Sequence, residues 1–449
     1  MKRDHDTIRI GSGAGFSADR IDPALNLIEH AGLDWIGFEC LAERTLAMAQ
    51  VARDADPGKG YDRFLEARLD ACLPALARNK VRMITNMGAA NPAAAAALAA
   101  SKGAHVAWIE GDDVRHLLDE DTRLGDIDAT IGEVGAPLIS ANAYLGAEQI
   151  LPAIETGADI VITGRVADPA LFLSPAIHAF GWALDDWPRL GAGTLAGHLL
   201  ECAGQVTGGY FPDPPVKIGP GLDAAGMAAL GFPFADIEPD GSFVIAKRPE
   251  EGGVVDLRTV KEQILYEVHD PSRYLTPDVT ADFSGARLEE LGPDRVRVSG
   301  GGGTARPQTL KVTAAFDGGL VAEAGISYAG LGAGDRARLA ADILRLRLRD
   351  IIDLRIDLIG LASLHASHGQ SAALSDRASG EARDVRVHVA ARVADQRSAE
   401  RVLWEVEALY TNGPAGGGGV RGQVRRSFFT HDVYLPREMI RLETGELRP

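Results

Sequence analysis

From residue 7 to about 210 the sequence repeats one alternation, a short apolar run followed by a stretch with helical spacing. The runs are TIRIG, DWIGF, VRMITN, HVAWIE, LISANAY and DIVITG. Strands alternating with helices in this way fold as an α/β layer built on a parallel sheet. Helix starts are legible at Asn91-Pro92 and Asp168-Pro169, where a capping side chain precedes a proline suited to the first turn. VRMITN and DIVITG are apolar without alternation, the pattern of strands covered on both faces. The expected fold class is α/β, a mostly parallel, open sheet flanked by helices.

Three regions are expected. Residues 1–210 form the parallel α/β domain. Residues 211–334 are punctuated by Pro and Gly, as in GGYFPDPPVKIGPG and GFPFADIEPDGSF, and read as a loop-rich elaboration of the same core. Residues 335–449 read as an α+β unit: a helix over about 335–352, strands DLRIDLIGL and DVRVHVAARVA with a period of two, the helix SAERVLWEVEALYTN, and a last strand VRRSFFTHDVYL.

Charge narrows the partners. Lys and Arg total 46 against 63 Asp and Glu, a net charge of −17, which disfavours nucleic acid or an anionic membrane surface. No apolar run reaches the length of a membrane span, and MKRDHDTIRIGSG has no signal-peptide core. Cys40, Cys72 and Cys202 are too few and too scattered for a disulfide framework. A cytoplasmic protein is expected.

In parallel α/β folds the ligand site lies beyond the carboxyl ends of the strands. The residues at the end of each run therefore make up the candidate site: Ser12 and Gly13 after the first, Glu39 and Cys40 after the second, Asn86 and Asn91 after the third. Asp112 and Asp113 come after the fourth, Asn142 and Tyr144 close the fifth, and Arg165 and Asp168 come after the sixth. Each of these alone also reads as an ordinary turn or cap residue.

GHLLECAGQ, if helical, places His198, Glu201, Cys202 and Gln205 on one face. A carboxylate one turn from an imidazole can make it a general base; a buried pair that merely holds the helix is the plainer reading. Asp112 and Asp113 could offer hard oxygens to a divalent cation, or simply favour a helix start. Gly11, Gly13 and Gly15 lack the spacing of a dinucleotide fingerprint, since Phe16 stands where its third glycine belongs, so NAD is disfavoured. GxSxG and HExxH motifs are absent.

The stretches GSGAGFSADR, FECLAERTLA, ITNMGAANP, EGDDV, SANAYLGAEQI, GADIVITGRVADPALFL, GHLLECAGQVTGGYF and NGPAGGGGVR together resemble the acyclic terpene utilisation (AtuA) family. NMGAANP departs from the glycine-richer form expected there, with Asn86 and Asn91 retained. The resemblance implies cytoplasmic bacterial catabolism of branched acyl-CoA or carboxylic acid intermediates, without a settled reaction. It also implies a small ferredoxin-like domain, expected on another polypeptide because the sequence ends at Pro449.

The leading expectation is an enzyme acting on a small or branched carboxylic acid or its CoA thioester by a hydratase- or lyase-type reaction. Arg165 would clamp a carboxylate, Glu39 or the His198-Glu201 pair would move a proton, and Asn86 or Asn142 would hold a carbonyl oxygen. The substrate-binding set adds Ser12, Gly13, Asn91, Tyr144 and Asp168. Two alternatives stand beside it: a non-catalytic assembly partner of an acyl-CoA carboxylase or of the small ferredoxin-like protein, and a hydrolase using water on a metal at Asp112 and Asp113. A homo-oligomer is expected.

Overall fold

The computed structural model describes residues 7–363 and 382–449. The charged start MKRDHD and residues 364–381, inside the expected C-terminal unit, lie outside them. Two compact units appear, one comprising the chain up to Ala315 with Thr430–Pro449, the other Phe316–Phe429.

The first unit holds a ten-stranded sheet. Its centre is β1 (Ile8–Ala14), β2 (Trp35–Phe38), β3 (Arg82–Thr85), β6 (Ile160–Ile162) and β4 (Val106–Glu110), in that order and all parallel. Every residue of β2 and β6 is buried, as continuous apolar runs require when both faces are covered. Leu27, Ile36, Phe38, Met83, Ile160 and Ile162 anchor one core cluster.

LISANAY forms β5 (Leu138–Ala143) but does not join this sheet; it pairs with β14 (Thr309–Ala329). Its small and polar residues, Ser140, Ala141 and Asn142, lack the bulk of a central parallel strand. The expectation of a mostly parallel sheet is corrected as well. Beyond β1 come β7 (Phe234–Ile237), β8 (Phe243–Ala246), β12 (Arg295–Ser299) and β11 (Arg287–Gly292), all antiparallel, and β18 (Glu443–Leu447) lies antiparallel on β4 at the other edge. Antiparallel pairings thus outnumber parallel ones, and the fold is mixed α/β. Short strands joined by tight Gly and Asp turns carry little apolar signal each, so a Pro/Gly-rich stretch hides them. A three-stranded sheet of β9 (Tyr274–Leu275), β10 (Thr280–Asp282) and β13 (Gly302–Thr304) completes the unit's sheets.

The second unit is antiparallel, with β15 (Leu354–Ile359), β16 (Asp384–Val393), β14 and β17 (Gly418–Pro436) in spatial order. Val385, Val387, Val389, Ala391 and Val393 of β16 are buried while the residues between them are not, the period of two read from the sequence. Helices Ala333–Arg347 and Gln396–Asn412 bury Ala337, Leu344, Val402 and Val406 in the same cluster as those valines. Among the described residues, no helix is long and apolar enough to cross a membrane.

Candidate functional site

The five parallel strands end side by side, so Gly15, Glu39, Asn86, Asp112 and Arg165 are all set at or just past one sheet edge. A cleft of about 650 Å³ opens there. Its floor carries Glu39, Glu43, Asp168, Glu201 and Arg165; Phe16, Tyr210, Leu230, Phe232 and Tyr266 supply apolar walls.

Glu39 is buried and held by neighbours at the strand ends. Both of its hydrogen bonds fall on Oε1, from Leu41 N–H at 3.0 Å and Asn86 Nδ2 at 2.8 Å. Asn86 Oδ1 in turn accepts Cys40 N–H at 2.8 Å, which locks the amide and explains why an asparagine stands after VRMIT. Burial, reinforced by the Asp168 charge, lifts the Glu39 carboxyl well above its ordinary range despite Arg165 and Asn86. Cys40 is a core thiol whose deprotonation is opposed chiefly by burial.

Arg165, 2% exposed, does not present the free fork expected of a carboxylate clamp. Its Nε donates to Val166 O at 2.9 Å, Nη1 to Leu41 O, and Nη2 to Asp168 Oδ1. The guanidinium also stacks 4.3 Å from the centre of the Tyr144 ring, whose hydroxyl donates to Glu43 at 2.6 Å. Arg165 is committed to protein partners and organises the floor. Burial raises the Asp168 carboxyl, with Arg165 opposing.

The GHLLECAGQ segment is helical as expected, within Trp187–Glu201, and continues into a short turn Ala203–Gln205. His198 Nδ1 lies 2.7 Å from Glu201 Oε1, both buried. Tyr274 and Phe283 pack against the imidazole, so Glu201 lines the cleft and His198 stands behind it. Burial pushes Glu201 up to about 7, with His198 pulling the other way. Burial alone would lower His198, but the Glu201 charge holds it above its usual value. The pair titrates as one unit.

The loop after β1 must pass this helix end closely. A Cβ on Gly15 would stand 2.3 Å from the Cys202 carbonyl carbon and 2.6 Å from Glu201 O. Gly15→Ala is expected to cost about 1–3 kcal/mol, read by urea unfolding, because backbone must move rather than a side-chain tip.

The other candidates sit elsewhere. Ser12 and Gly13 lie inside β1, Ser12 buried and Gly13 packed against the Phe38 ring, rather than past the strand's end as the sequence suggested. Asn91 caps helix Pro92–Ser101 and donates to Pro57 O at 2.8 Å and Lys59 O at 2.6 Å. Asp112, Asp113 and Asn142 line a second cleft of about 600 Å³ with Arg53, Arg115 and His116. Asp113 is tied to Arg115 at 2.8 Å, while Asp112 Oδ2 accepts Asn142 Nδ2 at 2.8 Å and Arg165 N–H at 3.0 Å. The two carboxylates serve different partners, and among the described residues no group of three or more His, Cys, Asp or Glu could hold a metal ion.

Asp112 gives a test of this burial. Burial lifts its carboxyl from 3.8 to about 6, so the folded state holds a proton that the unfolded chain has released. That contribution is full below pH 3.8 and fades as pH rises through about 6, a loss on the order of 3 kcal/mol. Stability against urea between pH 4 and 7 should fall more steeply in the wild type than in Asp112→Asn.

Sequence reasoning missed Asp19, Phe16, Tyr210, Tyr266 and Glu267 as cleft residues. They come from loops and a helix end remote in sequence, and nothing in their spacing groups them.

The family model described as "Acyclic terpene utilisation family protein AtuA" matches residues 8–444. No curated protein and no solved structure matches the chain.

Proposed function

The chain belongs to the acyclic terpene utilisation family AtuA, and from that premise we propose that it is a catabolic enzyme moving protons on a small or branched acyl-CoA thioester. Membership implies a part in acyclic terpene utilisation; the reaction class proposed is of hydratase or lyase type. The observation that carries it is the pair of buried carboxyls, Glu39 and Glu201, raised in proton affinity and facing one cleft beside the half-exposed Asp168. Enzymes tune carboxyls in this way when a group must hold a proton near neutrality and release it in the transition state. A structural ion pair accounts for Arg165 with Asp168, but not for Glu39, whose hydrogen bonds come from the neutral donors Leu41 N–H and Asn86 Nδ2.

Charge at the reacting end favours a neutral thioester carbonyl over a carboxylate there. Asp19, Glu43 and Glu267 line the cleft, and Arg165 is already paired with Asp168, so a carboxylate at the reacting end meets like charge. A thioester carbonyl is neutral, and the walls of Phe16, Tyr210, Leu230 and Phe232 suit an apolar acyl group.

Thermal melting of the purified protein with a branched acyl-CoA, the matching free acid, free CoA and NAD tests this. A thioester at a hundred times its Kd should stabilise by roughly 2.7 kcal/mol. A shift with the free acid and none with the thioester would overturn the substrate assignment.

A further inference from the structure

We infer that Glu201 Oε2 and Gln205 Oε1 together hold the water molecule that this cleft adds to, or removes from, its substrate. The inference rests on the thioester reading and adds to it the reacting group and a residue, Gln205.

Both oxygens are buried, and neither has a hydrogen-bond partner among the described residues. Glu201 spends Oε1 on His198, leaving Oε2 unmatched, and Glu201 as a whole is only 6% exposed. Gln205 comes after the left-handed Ala203, at φ 41°, and lines the same cleft. A buried acceptor without a donor costs about 1–3 kcal/mol, so each of these oxygens calls for a donor, and both residues line the cleft. Carbonyl, thioester and carboxylate groups only accept. Water carries two donors, one for each oxygen.

Glu39 completes the chemistry. Burial and the Asp168 charge make Glu39 hold a proton, and because Leu41 N–H and Asn86 Nδ2 both donate to Oε1, Oε2 is the oxygen left to carry it. In the hydration direction, Glu201 Oε2 takes a proton from the water as its oxygen bonds to the β-carbon of an α,β-unsaturated thioester. The alkene electron pair moves to the α-carbon, which takes the Glu39 proton. One water is added, Glu201 ends protonated and Glu39 ionised, and proton exchange with solvent in the cleft restores both. Dehydration is the reverse, with Glu201 delivering its proton to the departing hydroxyl. Gln205 fixes the oxygen in line with the acceptor carbon.

The test uses the full chain with crotonyl-CoA in heavy-oxygen water, in wild type and Gln205→Leu, with crystal structures of both proteins free of substrate. Wild type should place the heavy oxygen in a hydroxyacyl product, and Gln205→Leu should lower kcat roughly 100-fold with KM unchanged, because the loss is one of aim rather than of substrate binding. The wild-type crystal should show a solvent oxygen within hydrogen-bond reach of both atoms, absent in the variant. That oxygen without turnover would sink the thioester reading and leave the water site standing. A wild-type crystal with no such oxygen, or a Gln205→Leu protein with unchanged kcat, overturns the inference.

Discussion

Replacing Glu201 with glutamine is expected to lower kcat of the thioester reaction on the order of 10³-fold while the protein stays folded. The amide fills the same space and can still accept from His198, so the helix end keeps its packing. What disappears is the proton exchange. In the wild type the acid limb of the pH–kcat profile should reflect the His198-Glu201 pair, with Glu201 pushed up to about 7 by burial, and the alkaline limb should reflect loss of the Glu39 proton. The variant's residual activity should lose the acid limb and keep the other. Full turnover in Glu201→Gln would reduce the pair to a buried structural contact.

Arg165→Met is expected to destabilise the protein by about 1–3 kcal/mol, chiefly because the buried Leu41 and Val166 carbonyls lose their donor while Asp168, 39% exposed, keeps water. Asp168 would lose the cation that its Oδ1 meets, and the floor between Leu41, Val166 and Tyr144 would lose the group that ties them. Urea unfolding reads this directly. Asp168→Asn added to Arg165→Met should recover only a small part of the loss, since the half-exposed carboxylate is already hydrated. A free substrate clamp would behave differently, with stability nearly unchanged and KM raised. The GRVAD stretch thus sets a buried Arg165 as a brace under a half-exposed Asp168 that lines the cleft.

Much of the site could be read from the chain because strand ends advertise themselves. DWIGF ends in Glu39, VRMIT in Asn86 and DIVIT in the Gly164-Arg165 pair, and parallel pairing carries all three to one edge. The His198-Glu201 contact was legible from a spacing of three within one helix. The limits have physical causes. Apolar content marks LISANAY as a strand but does not name its neighbour, and its neighbour is β14, far along the sequence. Ser12 and Gly13 come after an apolar start, yet Gly13 lets the Phe38 ring lie against the strand and the backbone simply continues. Whether an arginine reaches into a cleft or is spent beneath it depends on three carbonyl and carboxylate oxygens that no local pattern reveals. Of the apolar walls, Phe16 stands about two hundred residues before Tyr210 and Phe232.

One edge of the large sheet is sealed late in biosynthesis. β4 ends at Glu110, but its antiparallel cover, β18, begins only at Glu443. At about 5–20 residues per second, the ribosome needs roughly 20 to 70 seconds to deliver that cover after β4 has been made. Throughout that interval the nascent chain carries an open strand edge, able to pair with the edge of a neighbour on the same message. Slowing elongation between Glu110 and Glu443 is thus expected to lower the fraction of chains that fold, by lengthening the time this edge stays open.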